Sequence, residues 1–200
     1  MKRIALFVCA GAIFFFFFNS NNKTEGTPKT DTLAPASPDG KTEKPWVPVD
    51  SATAMAKMME YGTPGPMHAM MASWNGTWNG ETTMWEYDGA APQKSTGTAV
   101  NSMVLGGKYQ SSKHTGNMMG MPFEGMGTLA YDNATKKFYS TWIDSWSTGI
   151  MSMSGDWNES TKTLTLTGTM PDILRPGSEC ALKENFKIID GNMQMMEMYG

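Results

Sequence analysis

The residues best suited to chemistry gather in one stretch, GMGTLAYDNATKKFYSTWIDSWSTGI, at positions 125–150. Two nearby carboxylates can act as general acid and base if their environments differ, and Glu124 with Asp144 is the candidate pair, with two exposed rim carboxylates as the simpler expectation. Ser145, His114 and Asp144 supply the residue types of a nucleophilic triad. Nothing in the spacing specifies either arrangement. The chain has no GxSxG, HExxH, P-loop or complete GxGxxG pattern, so the sequence predicts no enzyme and implies no cofactor. Asp132, Asn133, Lys136 and Lys137 have a sufficient structural role, because Asn and Asp side chains fold back onto their own backbone in turns. The same pattern recurs in YDNATKKFY and DWNESTKTLTL, each with an Asn-containing turn, Thr-Lys and a following strand.

Methionine is the compositional outlier, with 20 in 200 residues. MMGM (118–121) and MQMMEM (193–198) offer thioethers to a soft metal such as Cu(I). Packing explains them more economically. From Met67 onward there are 16 Met against 13 Leu, Ile and Val together, so without methionine the domain would have little core. Methionine fills irregular gaps and suits a pocket for apolar ligands of varied shape. Of two cysteines, Cys9 lies in the N-terminal apolar run and Cys180 is then alone, so neither a disulfide nor a zinc site is expected.

The formal net charge is -3, with no basic stripe, which argues against a nucleic-acid partner. Lys2 and Arg3 precede an unbroken apolar run at 4–18. As a helix that run is ~22 Å long, short of the ~30 Å hydrocarbon core, so residues 1–20 read as a secretory signal rather than a membrane span. No cysteine follows the run at the lipidation position. Residues 21–50 are rich in Thr, Pro, Lys, Asn and Ser and read as a flexible tether. The expected location is outside the cytoplasm, periplasmic or tethered to the envelope, with membrane contact only through the N-terminal segment.

A short helix and linker occupy 51–65, with Ser51 as N-cap. A further helical turn or two begins at Pro66, where Met67, Met70, Met71 and Trp74 share one face and His68 lies off it, toward solvent. From Thr77 on, short β-rich segments predict nine strands: 77–87, 94–105, 108–116, 122–131, 137–144, 150–156, 162–170, 180–189 and 192–199. Residues 66–200 thus form an all-β, up-and-down antiparallel barrel of about nine to ten strands with one or two short N-terminal helices. In such a meander alternate connections share an end. Tight connections (106–107, 132–136, 157–161, 190–191) alternate with longer ones (88–93, 117–121, 145–149, 171–179), and the longer set marks the mouth. Phe123, Glu124, Trp142, Asp144, Trp146, Met151 and Arg175 fall at that end and are the expected ligand-binding residues. The partner they suit is a small apolar molecule. Phe138, Ser140, Trp142 and Asp144 share one face of their strand, and the sequence leaves open which face is inside. His114 sits with Gln110 and Ser112 on a polar face that is expected to meet water.

LGGKY, MMGMPFEGMGTLAYDNATKKFYSTWIDSWSTGIM and GDWNESTKTLTLTG resemble the bacterial "domain of unknown function 1579" family. The order of NGTW, the Leu-Gly-Gly turn and the long signature fits as well, over roughly 66–200. The resemblance implies a calycin-like barrel, related in shape to lipocalins, fatty-acid-binding proteins and nitrobindin-type haem barrels, and no established biochemical role. It also implies a further strand beyond Tyr199. The chain as given stops at Gly200, so an exposed strand edge, and a homodimer formed through it, are expected. Haem would need an inward axial histidine, and neither His68 nor His114 is placed for that on this reading.

Overall fold

The computed structural model describes residues 47–200 apart from 86 and 88, together with the backbone path of 2–9. The expected tether and the rest of the expected signal segment lie outside the described residues. Nine strands follow one another as an antiparallel meander: β2 (Gly76–Trp85), β3 (Gln93–Val104), β4 (Tyr109–Met118), β5 (Met121–Asp132), β6 (Lys137–Asp144), β7 (Met151–Asn158), β8 (Thr163–Pro171), β9 (Glu179–Ile188) and β10 (Met193–Tyr199). They curl into a barrel wall. The backbone of β1 (Lys2–Cys9) lies between β2 and β10, parallel to both, and closes the ring. The edge of β10 expected to be free is therefore paired here.

The turns follow from local chemistry. In the β5–β6 turn, Asp132 Oδ1 accepts the Ala134 N–H at 2.7 Å and Lys136 takes the left-handed conformation at φ 58°. The β7–β8 turn repeats this, with Asn158 Oδ1 accepting from Ser160 N–H at 3.0 Å and Lys162 at φ 53°. One expected long connection is instead tight. Met118 pairs with Met121, so β4 and β5 are joined by Met119 and Gly120 alone, at φ 53° and 77°. Two successive positive-φ residues match the twist of a hairpin, and this overrides the run of loop-forming residues there. The expected two-residue turn at Gly106–Gly107 is wider, spanning 105–108 between Val104 and Tyr109.

Helix α1 (Ser51–Gly62) is capped by Asp50, whose carboxylate accepts the Thr53 N–H at 3.0 Å, rather than by Ser51. It buries none of its residues, and its end is held by Asn133 Nδ2, which donates to the Tyr61 and Thr63 carbonyls. Helix α2 (Pro66–Ser73) plugs the short-turn end of the barrel. Met71 and Trp74 are buried there against Phe138, Leu164, Leu166 and Met153, with Met67 and Met70 packed alongside. His68 is buried too, contrary to the expected solvated position. As the third residue of the helix its ring reaches back, and Nδ1 accepts the Gly65 N–H at 3.0 Å while the ring meets Tyr131 edge-on. Burial lowers its pKa. Methionine is spread through this core at eight positions (67, 70, 71, 103, 151, 153, 170 and 198), which is the distribution packing requires.

Candidate functional site

A helix end inside a barrel poses an electrostatic problem, because its last carbonyls have no intrahelical donors. The barrel supplies them. Gln110 Nε2 donates to the Met71 carbonyl at 2.6 Å, while the Trp78 indole N–H and Asn101 Nδ2 donate to the Trp74 carbonyl at 2.9 and 3.3 Å. This is why Gln110, Ser112 and His114 face inward, not outward to water as the sequence reading had them. Gln110 is 5% exposed. Their polarity serves the plug.

The network continues upward from the plug. Asn101 is oriented by the Trp74 carbonyl, so its Oδ1 faces Ser112 and accepts that hydroxyl at 2.7 Å. Ser112 has one proton and has given it to Asn101. The 2.6 Å contact between Ser112 Oγ and His114 Nε2 must then be donated by the histidine. His114 is the Nε2–H tautomer, and Nδ1 keeps a lone pair with no partner among the described residues. Burial holds the His114 pKa down at about 4, so the ring is neutral at ordinary pH.

The pairing register gives the wall above His114. Trp78, Ala99, His114, Gly125 and Asp144 form one inward row across β2 to β6. The next inward row toward the mouth reads Gly80, Gly97, Gly116 and Phe123. Three adjacent strands thus present no side chain to the interior at one level, a bare shelf bounded by Phe123. Rimward of it lies a cleft of about 260 Å³ between the ends of β2, β3 and β4, lined by residues that include Thr82, Ser95, Asn117 and Met118.

The aromatic side of the shelf is built on β5 and β6. The Trp142 indole lies inside, over Gly125, where an added Cβ would come within 2.2 Å of the ring. His114 meets Trp142 edge-on at 4.9 Å, Phe123 stacks near it at 6.4 Å, and Trp146 meets Phe123 edge-on at 5.4 Å. Asp144 accepts the Trp142 indole N–H at 3.0 Å and the backbone N–H groups of Trp146 and Ser147 at 2.9 Å each. Both of its oxygens are engaged in fixing the two tryptophans.

Of the expected site residues, Phe123, Trp142, Asp144 and Trp146 come together at the shelf. Met151 pairs with Trp142 and packs against the apolar core. Glu124 is exposed on the outer face and Asp144 is inside, so no carboxylate pair forms. Arg175 is 76% exposed and tied within its own loop to Asp172 at 2.5 Å. The triad residues do not meet: Ser145 Oγ accepts the Glu124 N–H, and His114 bonds Ser112. Among the described residues no group of three His, Cys, Asp or Glu side chains is arranged to hold a metal, and no helix is long and apolar enough to cross a membrane.

The sequence reading turned His114 outward and did not single out the glycine row or Glu184. Glu184 points inward from β9 between Leu166 and Met198 of the neighbouring strands, with no hydrogen-bond partner among the described residues. It is half-buried, and desolvation pushes its pKa up to about 7. The alternation Gln110, Ser112, His114 was visible in the sequence. What set its side was the C-terminus of α2.

A family model described as "Protein of unknown function (DUF1579)" matches residues 63–200. No curated protein matches the chain.

Proposed function

The chain belongs to the DUF1579 family of proteins of unknown function, and from its geometry we propose that it is a binding protein that holds a small, largely apolar molecule inside the barrel. The single observation behind this reading is the shelf. Gly80, Gly97 and Gly116 leave the inner wall bare at one level, directly above the His114 ring and beside Phe123 and Trp142. A packed core has few voids larger than a water molecule, so a row of inward glycines flanked by large rings is a poor way to fill a barrel and a good way to line a site. The same glycines also let β3 and β4 approach closely, since a Cβ on Gly97 would stand 2.8 Å from the Thr115 carbonyl. Close approach accounts for the Gly97–Gly116 pair, and the same two glycines with Gly80 leave that level of the wall without side chains. Native mass spectrometry of protein purified from the cells that make it, with organic extraction, tests the proposal. A retained small molecule supports it, and uniformly ligand-free protein that also takes up no apolar probe counts against it.

The proposal includes export, supported by Lys2, Arg3 and the apolar run that follows. Cleavage after that run removes β1 and exposes the edges of β2 and β10, so closing strand and leader are exclusive roles in a mature chain. N-terminal sequencing of the mature protein decides between them.

A second reading, an interaction module without ligand, rests on the outer face. Val100, Lys113, Met126 and Ile143 form one outward row across β3 to β6, with Val104, Tyr109, Ala130 and Tyr139 in another. Val100, Met126 and Ile143 are 48%, 51% and 45% exposed.

A further inference from the structure

The proposed site has a charge character that narrows its ligand, and this inference rests on the binding reading above. Side chains alternate along each strand, and the inward positions can be read from burial: Trp78 and Ala99, Gln110, Phe138, Met153, Leu164 and Leu166, Leu182 and Gln194 fix the parity of their strands. On that parity no inward position of the nine described strands is Lys or Arg. Lys94, Lys113, Lys137, Lys183 and Lys187 all fall on outward positions. The inward carboxylates are instead Asp144 at the mouth end and Glu184 deeper in, with neutral His114 between the plug and the shelf.

Lys94 lines the cleft rimward of the shelf, but an anion seated on the shelf itself would lose its hydration and meet no Lys or Arg from an inward position of β2 to β10, a cost that burial without a partner imposes. Asp144 does not offset it, because its oxygens are acceptors already committed to N–H donors. His114 does not offset it either. Its one N–H is spent on Ser112, and what it presents is the acceptor lone pair of Nδ1. A group that brings its own proton fits this lone pair, and a carboxylate or phosphate does not.

We infer that the ligand is an uncharged molecule with a flat apolar body and a hydrogen-bond donor, a hydroxyl or N–H, that the His114 Nδ1 accepts while the body lies on the Gly80–Gly97–Gly116 shelf against Phe123. A carboxylate, which brings no proton at neutral pH, does not fit this acceptor.

The test uses three probes with one body: 2-naphthalenemethanol, 2-methylnaphthalene and 2-naphthoate, titrated at neutral pH into the full chain and followed by tryptophan fluorescence and amide chemical shifts. The alcohol should bind about three- to tenfold more tightly than the hydrocarbon, the size of one net hydrogen bond. The carboxylate should bind more weakly than both. In His114→Phe the advantage of the alcohol over the hydrocarbon should vanish while hydrocarbon binding persists. The wild-type series stands without the variant. Carboxylate binding equal to or tighter than the alcohol overturns the inference and leaves the binding function intact. Failure of all three probes to perturb the shelf residues removes both.

Discussion

Replacing Glu184 by glutamine should change how stability depends on pH, with a sign and size that follow from its position. In the folded chain its pKa lies at about 7, against 4.5 for an ordinary glutamate. Below pH 4.5 the group is protonated in both states and contributes no pH dependence. As pH rises from 4.5 to 7 the unfolded chain releases the proton and the folded chain keeps it, so stability is lost across that window. The ceiling is 2.5 units, the difference between 7 and 4.5, at 1.36 kcal/mol per unit, or about 3 kcal/mol. His114 runs the other way. Its folded pKa of about 4 lies below the ordinary 6.5, so stability is present above pH 6.5 and is lost as pH falls toward 4. Between pH 4.5 and 6.5 the two slopes oppose each other, and in the wild type they nearly cancel. Glu184→Gln removes one and unmasks the other. Urea denaturation followed by tryptophan fluorescence, at steps from pH 4.5 to 8, measures both proteins. The difference in stability between variant and wild type should grow by up to about 3 kcal/mol from pH 4.5 to 7. His68 and the surface carboxylates are common to both proteins and drop out. A difference that stays constant with pH would refute the reasoning, because it would mean that Glu184 ionises inside the barrel as readily as outside it.

Gly125→Ala places a Cβ 2.2 Å from the Trp142 ring, so it should cost about 1–3 kcal/mol in denaturant unfolding and alter tryptophan emission as the indole is displaced. Gln110→Met keeps the volume but removes the side-chain donor of the Met71 carbonyl, leaving it the Trp74 N–H at 3.0 Å at the buried end of α2. That should lower stability by about 1–3 kcal/mol and increase amide exchange in α2 before the rest of the barrel. Lys136→Gly relieves a side chain held at φ 58°. It should raise the urea midpoint slightly, by less than about 1 kcal/mol of stability, since the relief is partly offset by glycine's greater unfolded-state entropy.

Much of the fold was legible because its signals are local. The strand segments, the two Asx turns with their Thr-Lys endings and the helix at Pro66 all follow from neighbours in the chain. Of the candidate site, residue type alone picked out Phe123, Trp142, Asp144 and Trp146, which the structure brings together. Strand alternation gives two faces but no label for inside, and here the usual label misleads. On the Gln110–Ser112–His114 face, Gln110 donates to a carbonyl of a helix some forty residues earlier and Ser112 and His114 continue the network from Asn101, contacts no periodicity encodes. Glu124 falls on the outer face and Arg175 in its own exposed loop, since distance along the chain from a loop does not fix where a side chain lies. Gly80, Gly97 and Gly116 escaped notice since their meaning lies in the register that aligns them.

The claim at the centre of this account is that a ligand lies within the barrel on the glycine shelf. Intermolecular nuclear Overhauser effects in the complex with 2-naphthalenemethanol test it most directly. The account predicts contacts from the naphthalene ring to the α-protons of Gly97 and Gly116 and to the Phe123 ring. Contacts confined to Val100, Met126 and Ile143 on the outer face would contradict it.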